Sequence, residues 1–459
     1  MAVTVRRRRA LQLLECVGMI LVLLGLLRVY MLYNSNGYLG PPFVFDVGDT
    51  FMDWFHTAYW AHHGAAYSFW RTIYLPLSFV ITGTIGNSAC YESAQYDARD
   101  CDWIGYVAIV AMYVGCVVVS AVALWRHDRT TAIYRSVAIA AGQPLLFALE
   151  RGNLVMLTYI PFVLLYGGLM RTNRGVAFAA AFMANMKIYM ILPLLAIGIK
   201  RQWRLLELCG IATIALYLIT LFIVGEGTPI EIYANLQNWF SVRIGAIWDE
   251  LLYTTTYRPF LVLDEGQYPV RDYIDERYVA IGKAFIQAYY PLTRGIALLC
   301  LGLAWLYPRA VSMNRLVFFF LMQSFIGQNP GGYSISLIVF IVFMERKSNF
   351  AVITAIICCY LINFPGDFTL AKIYDFERES WLSGRTVLSE YTLPVGSLIR
   401  PGLIAISLWV LAIDTLIDVH RVARRERPCF GLRGRPGMLE SAPADAPAPR
   451  PGTAAPTLA

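Results

Sequence analysis

Three acids and three histidines crowd one short stretch of this chain, FVFDVGDTFMDWFHTAYWAHHGAAY, from Phe43 to Tyr67. The acids are Asp46, Asp49 and Asp53; the histidines are His56, His62 and His63. Coiled as a helix, the stretch places Asp53, His56, Tyr59 and Trp60 on one face. An ionised carboxylate held among rings can take a proton from an attacking hydroxyl, which is general-base chemistry. The competing reading is a solvated loop whose aromatics form an interfacial belt.

Three further groups carry polar chemistry where it is costly. Glu150-Arg151-Gly152-Asn153 joins two apolar runs. Arginine's planar fork matches phosphate oxygens, although Glu150 and Arg151 can also serve as a simple ion pair. Lys187 sits midway along the apolar run 176–199, followed by Ile188 and Tyr189. A lysine there must reach an interface, an acid or an anionic ligand. Gln328-Asn329-Pro330-Gly331-Gly332-Tyr333-Ser334 is rich in turn formers and either lines the same cavity or is only a turn. His62 and His63 lack the spacing of a zinc helix, no nucleotide loop or serine elbow occurs, and no cysteine–histidine set has metal-site spacing. The sequence calls for no cofactor, though a divalent metal at Asp46, Asp49 and Asp53 stays open.

The elements that must position these residues are membrane helices. The 459 residues are 58% hydrophobic and 15% charged, where soluble domains carry about 25% charge. The apolar residues come in runs long enough to cross a bilayer. The first, Leu11 to Tyr33, is too long for a cleavable leader and reads as an uncleaved helix. Further runs lie near 75–90, 104–125, 133–149, 154–170, 176–199, 205–224, 291–307, 314–328, 333–345, 349–364 and 397–417. This is an all-α polytopic membrane protein with about ten to thirteen transmembrane helices. Residues 1–10 form a basic cytoplasmic N-terminus, 11–420 the membrane domain, and 421–459 a basic, then Pro/Ala-rich disordered cytoplasmic tail. The outer loops are 34–73, 225–290 and 365–396. The net charge of +7 sits in short clusters between runs, the mark of cytoplasmic loops rather than of nucleic-acid binding. Taken as single crossings, the runs put Arg126–Arg129 and Arg171–Arg174 outside, against that rule. Splitting 176–199 near Lys187, and letting 75–90 enter without crossing, brings Arg126, Arg171 and Lys200 to one side. Cys90 and Cys101 flank a polar loop and can pair if it faces an oxidising compartment.

The order of short motifs is more specific than any one of them. Tyr74-Leu75-Pro76-Leu77 closes the first loop; Gly142-Gln143-Pro144, Glu150 to Asn153, Lys187-Ile188-Tyr189 with Pro193, and Arg201-Gln202-Trp203-Arg204 follow. This order, over roughly residues 10 to 420, resembles the GT-C superfamily of polyprenyl-phosphate-sugar-dependent glycosyltransferases, and within it glycosyltransferase family 87, the DUF2029 group. Leu75 and Met190 stand where that family has prolines. The resemblance implies a GT-C-type helix bundle with juxtamembrane helices in the first outer loop. It implies a mannosyltransferase-like enzyme of the cell envelope, in a bacterial inner membrane, with its active site extracytoplasmic. The donor would be a polyprenyl-phosphate-linked mannose-like or pentose sugar, the acceptor a lipid or glycan among membrane lipids. Asp53 would be the base, with Asp49 and Asp46 as alternatives. Glu150, Arg151, Asn153, Lys187, Tyr189, His56, Gln328 and Asn329 would bind substrate and phosphate. The main rival is a transporter or flippase for a lipid-linked or anionic substrate, which also uses intramembrane Arg and Lys; no internal repeat supports it.

Overall fold

The computed structural model describes residues 2–43, 47–240, 254–261, 274–328, 330–346 and 349–428. Among them, six helices are long and apolar enough to cross a membrane: Arg9–Asn36, Trp103–His127, Ala132–Arg151, Trp203–Val224, Glu276–Leu306 and Val395–Ala423. The chain is an integral membrane protein of mostly helical structure. Several of these long helices are covered on one side only. Along Trp103–His127, Ile109, Met112, Cys116, Ser120 and Ala123 are buried at helical spacing. Val107, Val110, Val114 and Val118 line the opposite, exposed stripe. Apolar residues all round a helix, with half of them uncovered by protein, are what lipid selects.

We number the helices α1 (Ala2–Asn36), α2 (Met52–His63), α3 (Pro76–Thr84), α4 (Gln95–Cys101), α5 (Trp103–His127), α6 (Ala132–Ala140), α7 (Gln143–Arg151), α8 (Val155–Tyr166), α9 (Asn173–Met186), α10 (Ile191–Ile199), α11 (Trp203–Val224) and α12 (Pro229–Phe240). They continue as α13 (Glu276–Leu306), α14 (Met313–Gln328), α15 (Ile335–Phe343), α16 (Phe350–Ile362) and α17 (Val395–Ala423). Two strands, β1 (Thr369–Ser380) and β2 (Arg385–Pro394), precede α17.

Two expectations change, and one alternative left open is decided. The apolar runs do not all fold as full crossings; six helices have spanning length, and most of the other runs are shorter pieces. The run near 75–90 keeps only the nine-residue α3, about 14 Å of helix, too short to cross, which agrees with the version in which it enters without crossing. The structure is mostly helical, as expected, but 365–396, expected as a loop, contains an antiparallel hairpin paired from Ser380–Arg385 at the tip to Thr369–Pro394 at the base. Gly384, at φ +61°, closes its turn. Most of the expected tail, residues 429–459, lies outside the described residues.

Polar contacts sort the bundle into two ends. At one, Arg135 pairs with Glu15, Tyr360 donates to the same carboxylate at 2.7 Å, and Arg135 also reaches the Phe343 carbonyl. Arg315 bonds Glu345 at 2.8 Å and Asp414 at 3.2 Å, and the Lys200 ammonium donates to the Pro308 and Val311 carbonyls. Arg126–Arg129 follow α5 to this end. Arg171, just before α9, and Arg174, in its first turn, lie here too, since Gly167 packs on Ala123. The basic clusters therefore share one end, as the split version of 176–199 requires. That run does break: α9 stops at Met186, Lys187 is extended (φ −140°, ψ 114°), and α10 returns. The turn lies part-way along α11, because Asn185 Nδ2 donates to the Thr213 carbonyl at 3.0 Å.

Candidate active site

The short helices end at a common level and make the floor of a recess. α7 ends at Arg151, α8 starts beyond Asn153, α9 and α10 meet at Lys187, and α14 and α15 flank the turn that carries Tyr333 and Ser334. The longer helices and the segments around α2 rise past this floor.

Arg151 ends α7 because Gly152 adopts the left-handed conformation (φ +62°) that stops a helix. A Cβ at Gly152 would come within 2.9 Å of the Phe51 carbonyl. That close approach lets the Asp49–Asp53 segment lie directly on the end of α7. The Phe51 amide donates to the Glu150 carbonyl at 2.7 Å, and Thr50 Oγ1 donates to Glu150 Oε1 at 3.1 Å. Arg99 adds a second clamp, donating to the Gly48 and Thr50 carbonyls at 2.6 and 3.1 Å. Cys90 and Cys101 are paired as a disulfide around the segment that carries Arg99.

One guanidinium serves both acids. Arg151 Nη1 pairs with Asp49, and Nη2 donates to Asp53 Oδ1 at 2.9 Å. Asn153 Nδ2 donates to the other oxygen of Asp53 at 2.5 Å, while its own Oδ1 accepts the Val155 amide at 2.8 Å and caps α8. Both acids keep about a fifth of their side chains exposed, so the carboxylates face the recess. Burial opposes ionisation of Asp53, but the field of Arg151 and the bonds from Arg151 and Asn153 outweigh it. Its carboxyl therefore titrates below the ordinary aspartate range.

Lys187 lies on the same floor. Its ammonium sits 4.4 Å from the Tyr74 ring centre and 5.7 Å from that of Tyr333, close enough for its charge to act on Asp53. Tyr189 lies next to it, its hydroxyl 2.9 Å from Ser334 Oγ. The hairpin covers the acid-bearing segment. Trp381 at its tip donates from its amide to the Val47 carbonyl and from Nε1 to Asp100, and packs edge-on to Phe51.

Among the expected site residues, Asp49, Asp53, Arg151, Asn153 and Lys187 converge. Glu150 lies behind them, bonded to Thr50, with Oε2 buried and without a partner. His56 is one turn along α2, stacked on Trp60 at 5.9 Å. Burial of its ring, partly offset by Asp49 and Asp53, lowers its pKa, so at neutral pH it is uncharged. Asp46 and Asn329 lie outside the described residues. Gln328 is the last residue of α14, and the placement of its side chain is likewise outside them. No group of three or more His, Cys, Asp or Glu side chains with metal-holding geometry occurs among the described residues. Sequence reasoning passed over Arg99 and Trp381, which carry no local signal, and did not assign Tyr74 and Tyr333, although both stand in the short motifs quoted above. No protein-family model, curated protein or solved structure matches this chain.

Proposed function

We propose that the chain is a membrane glycosyltransferase. It moves a mannose-like or pentose sugar from a polyprenyl-phosphate donor to an envelope lipid or glycan. The observation that carries this reading is one pair of carboxylates sharing Arg151, with Asp53 also bonded to Asn153, on a recessed floor beside Lys187. An acceptor hydroxyl attacks the anomeric carbon, the bond from that carbon to the phosphate oxygen breaks, and the lipid phosphate leaves with the electron pair. Asp53 takes the hydroxyl proton. Arg151 is already engaged by both acids, so it orients the base, and the phosphate charge falls mainly to Lys187, whose compact ammonium suits a developing anion. A single base opposite the leaving group inverts the anomeric centre. The basic clusters at the far end favour an extracytoplasmic recess, and the Cys90–Cys101 pair is in keeping with that side.

The test is transfer of radiolabel from polyprenyl-phosphate-mannose, or its pentose analogue, in membranes supplied with an envelope lipid extract. Removing a general base costs about 10²- to 10⁴-fold. Asp53→Asn is expected to lose transfer on that scale at equal expression, with Asp49→Asn less affected. Undiminished transfer by Asp53→Asn moves the base to Asp49 or Asp46. No transfer by wild type from either donor, with flux of the lipid-linked sugar across sealed vesicles, establishes the flippase reading instead.

A further inference from the structure

A second polar site lies away from the recess floor, between α1 and the base of the hairpin. It is a cavity of about 100 Å³, roughly three times the volume a water takes in the liquid. Arg28, Asn36, Asp367, Thr369, Glu390 and Thr392 are among the residues around it. Arg28 is charged, half-buried, and on an apolar helix of spanning length. Its guanidinium lies 3.7 Å from the Phe368 ring centre, and none of the described ion pairs or hydrogen bonds engages it.

The two acids beside it already have cationic partners. Asp367 pairs with Arg400 at 2.6 Å and accepts the Phe368 and Gly396 amides at 2.8 Å each. Glu390 pairs at 2.8 Å with Lys372, an ammonium that Asp375 shares at 2.9 Å. Arg28 is the cation of the cavity's lining, and no described acid pairs with it. Thr392 is 4% exposed, and its buried hydroxyl has no partner. A buried hydroxyl without a partner and a membrane-depth cation without an acid each cost free energy unless a ligand satisfies them.

We infer that this cavity binds the anionic phosphate headgroup of a membrane lipid, at a site separate from Asp53 and Lys187. Arg28 would take two phosphate oxygens through its fork, which a phosphate diester presents in matching geometry. Thr392 and Thr369 would donate from their hydroxyls, and Asn36 from its amide, whose oxygen already accepts from Ser35 at 2.9 Å. The lipid source follows from the helix. Leu24 and Met31, about one turn to either side of Arg28, are 54% and 60% exposed, so acyl chains from the same lipid have an apolar track along α1.

The test uses delipidated full-length protein in neutral detergent, with the thermal midpoint and native mass spectrometry as readouts. Phosphatidylglycerol is expected to bind and raise the midpoint, because a ligand of the folded state stabilises it. Arg28→Gln should weaken that binding by about tenfold or more, the effect of one charged hydrogen-bond pair. Arg28→Lys should lose less, and Thr392→Val about threefold. Diacylglycerol should do nothing. Equal binding of phosphatidylglycerol to wild type and Arg28→Gln overturns the site, as does an equal effect of diacylglycerol. An equal shift with inorganic phosphate alone overturns the lipid assignment and leaves a soluble-anion site. If Arg28→Gln does not fold, Arg28→Lys and Thr392→Val carry the comparison.

Discussion

Asp53 and Gly152 depend on one another although 99 positions separate them. The carboxylate meets Arg151 only because the backbone at Phe51 presses against a residue with no Cβ. An alanine at position 152 meets two penalties: a left-handed conformation costing about 1–2 kcal/mol, and displacement of the Phe51 carbonyl. Gly152→Ala is therefore expected to lower the thermal midpoint and to reduce transfer at least tenfold, while Gly168→Ala, also at positive φ but with open space around it, should move only the midpoint. The lowered pKa of Asp53 has a sign. Its stabilising contribution is present above the unfolded value, about 3.9, and is lost as pH falls through the lower folded value. Wild type should lose stability relative to Asp53→Asn only below about pH 4, read as thermal midpoint against pH.

At the scale of elements, the hairpin is the part of the second half of the chain that grips the acid-bearing segment. Trp381→Ala removes the contact with Phe51 and the bond to Asp100. It should cost transfer about tenfold, about 1.4 kcal/mol in barrier, with little change in donor binding. Other elements differed in how much of them the sequence disclosed. The helices were readable because a lipid-facing stripe leaves long apolar runs. The break at Lys187 was readable because a lysine cannot lie in mid-run without a reason. The hairpin was not: β1 carries Lys372, Asp375, Glu377, Arg378 and Glu379, so its period-two pattern is hidden under charge that suits a solvated loop. Asp53, Arg151, Asn153 and Lys187 could be named as candidates from residue type and cost. The sharing of Arg151 by Asp49 and Asp53 is a long-range fact that no local pattern encodes, and the same holds for Arg99.

At the scale of the whole molecule, ion pairs hold the end opposite the recess. Glu15 is fully buried against Arg135 and Tyr360. Removing one member of a buried pair leaves the other charge unmatched, at a cost of about 3–5 kcal/mol. Glu15→Gln should therefore lower the thermal midpoint sharply, and the double variant Glu15→Gln/Arg135→Met should recover part of the loss. Neither change touches the recess, so transfer per folded molecule should hold. The two-ended sorting also predicts sidedness. Reporters fused at either terminus should report one compartment, and a cysteine placed at Gly225, where α11 ends beside the first loop, should label from the other.

The turn at Lys187 also bears on solvent exchange. Where α9 stops, Met183 keeps a helical partner in the Lys187 amide at 3.2 Å, and Met190 donates to the Lys187 carbonyl, one residue past the helix, at 2.9 Å; the regular ladder ends there. Peptide groups left open inside a bilayer must be served by side chains or by solvent reaching down the recess. Residues 188 and 189 should accordingly trade amide protons for deuterium far faster than the middles of α5 and α11. Slow exchange at the turn would mean that the floor is sealed from above.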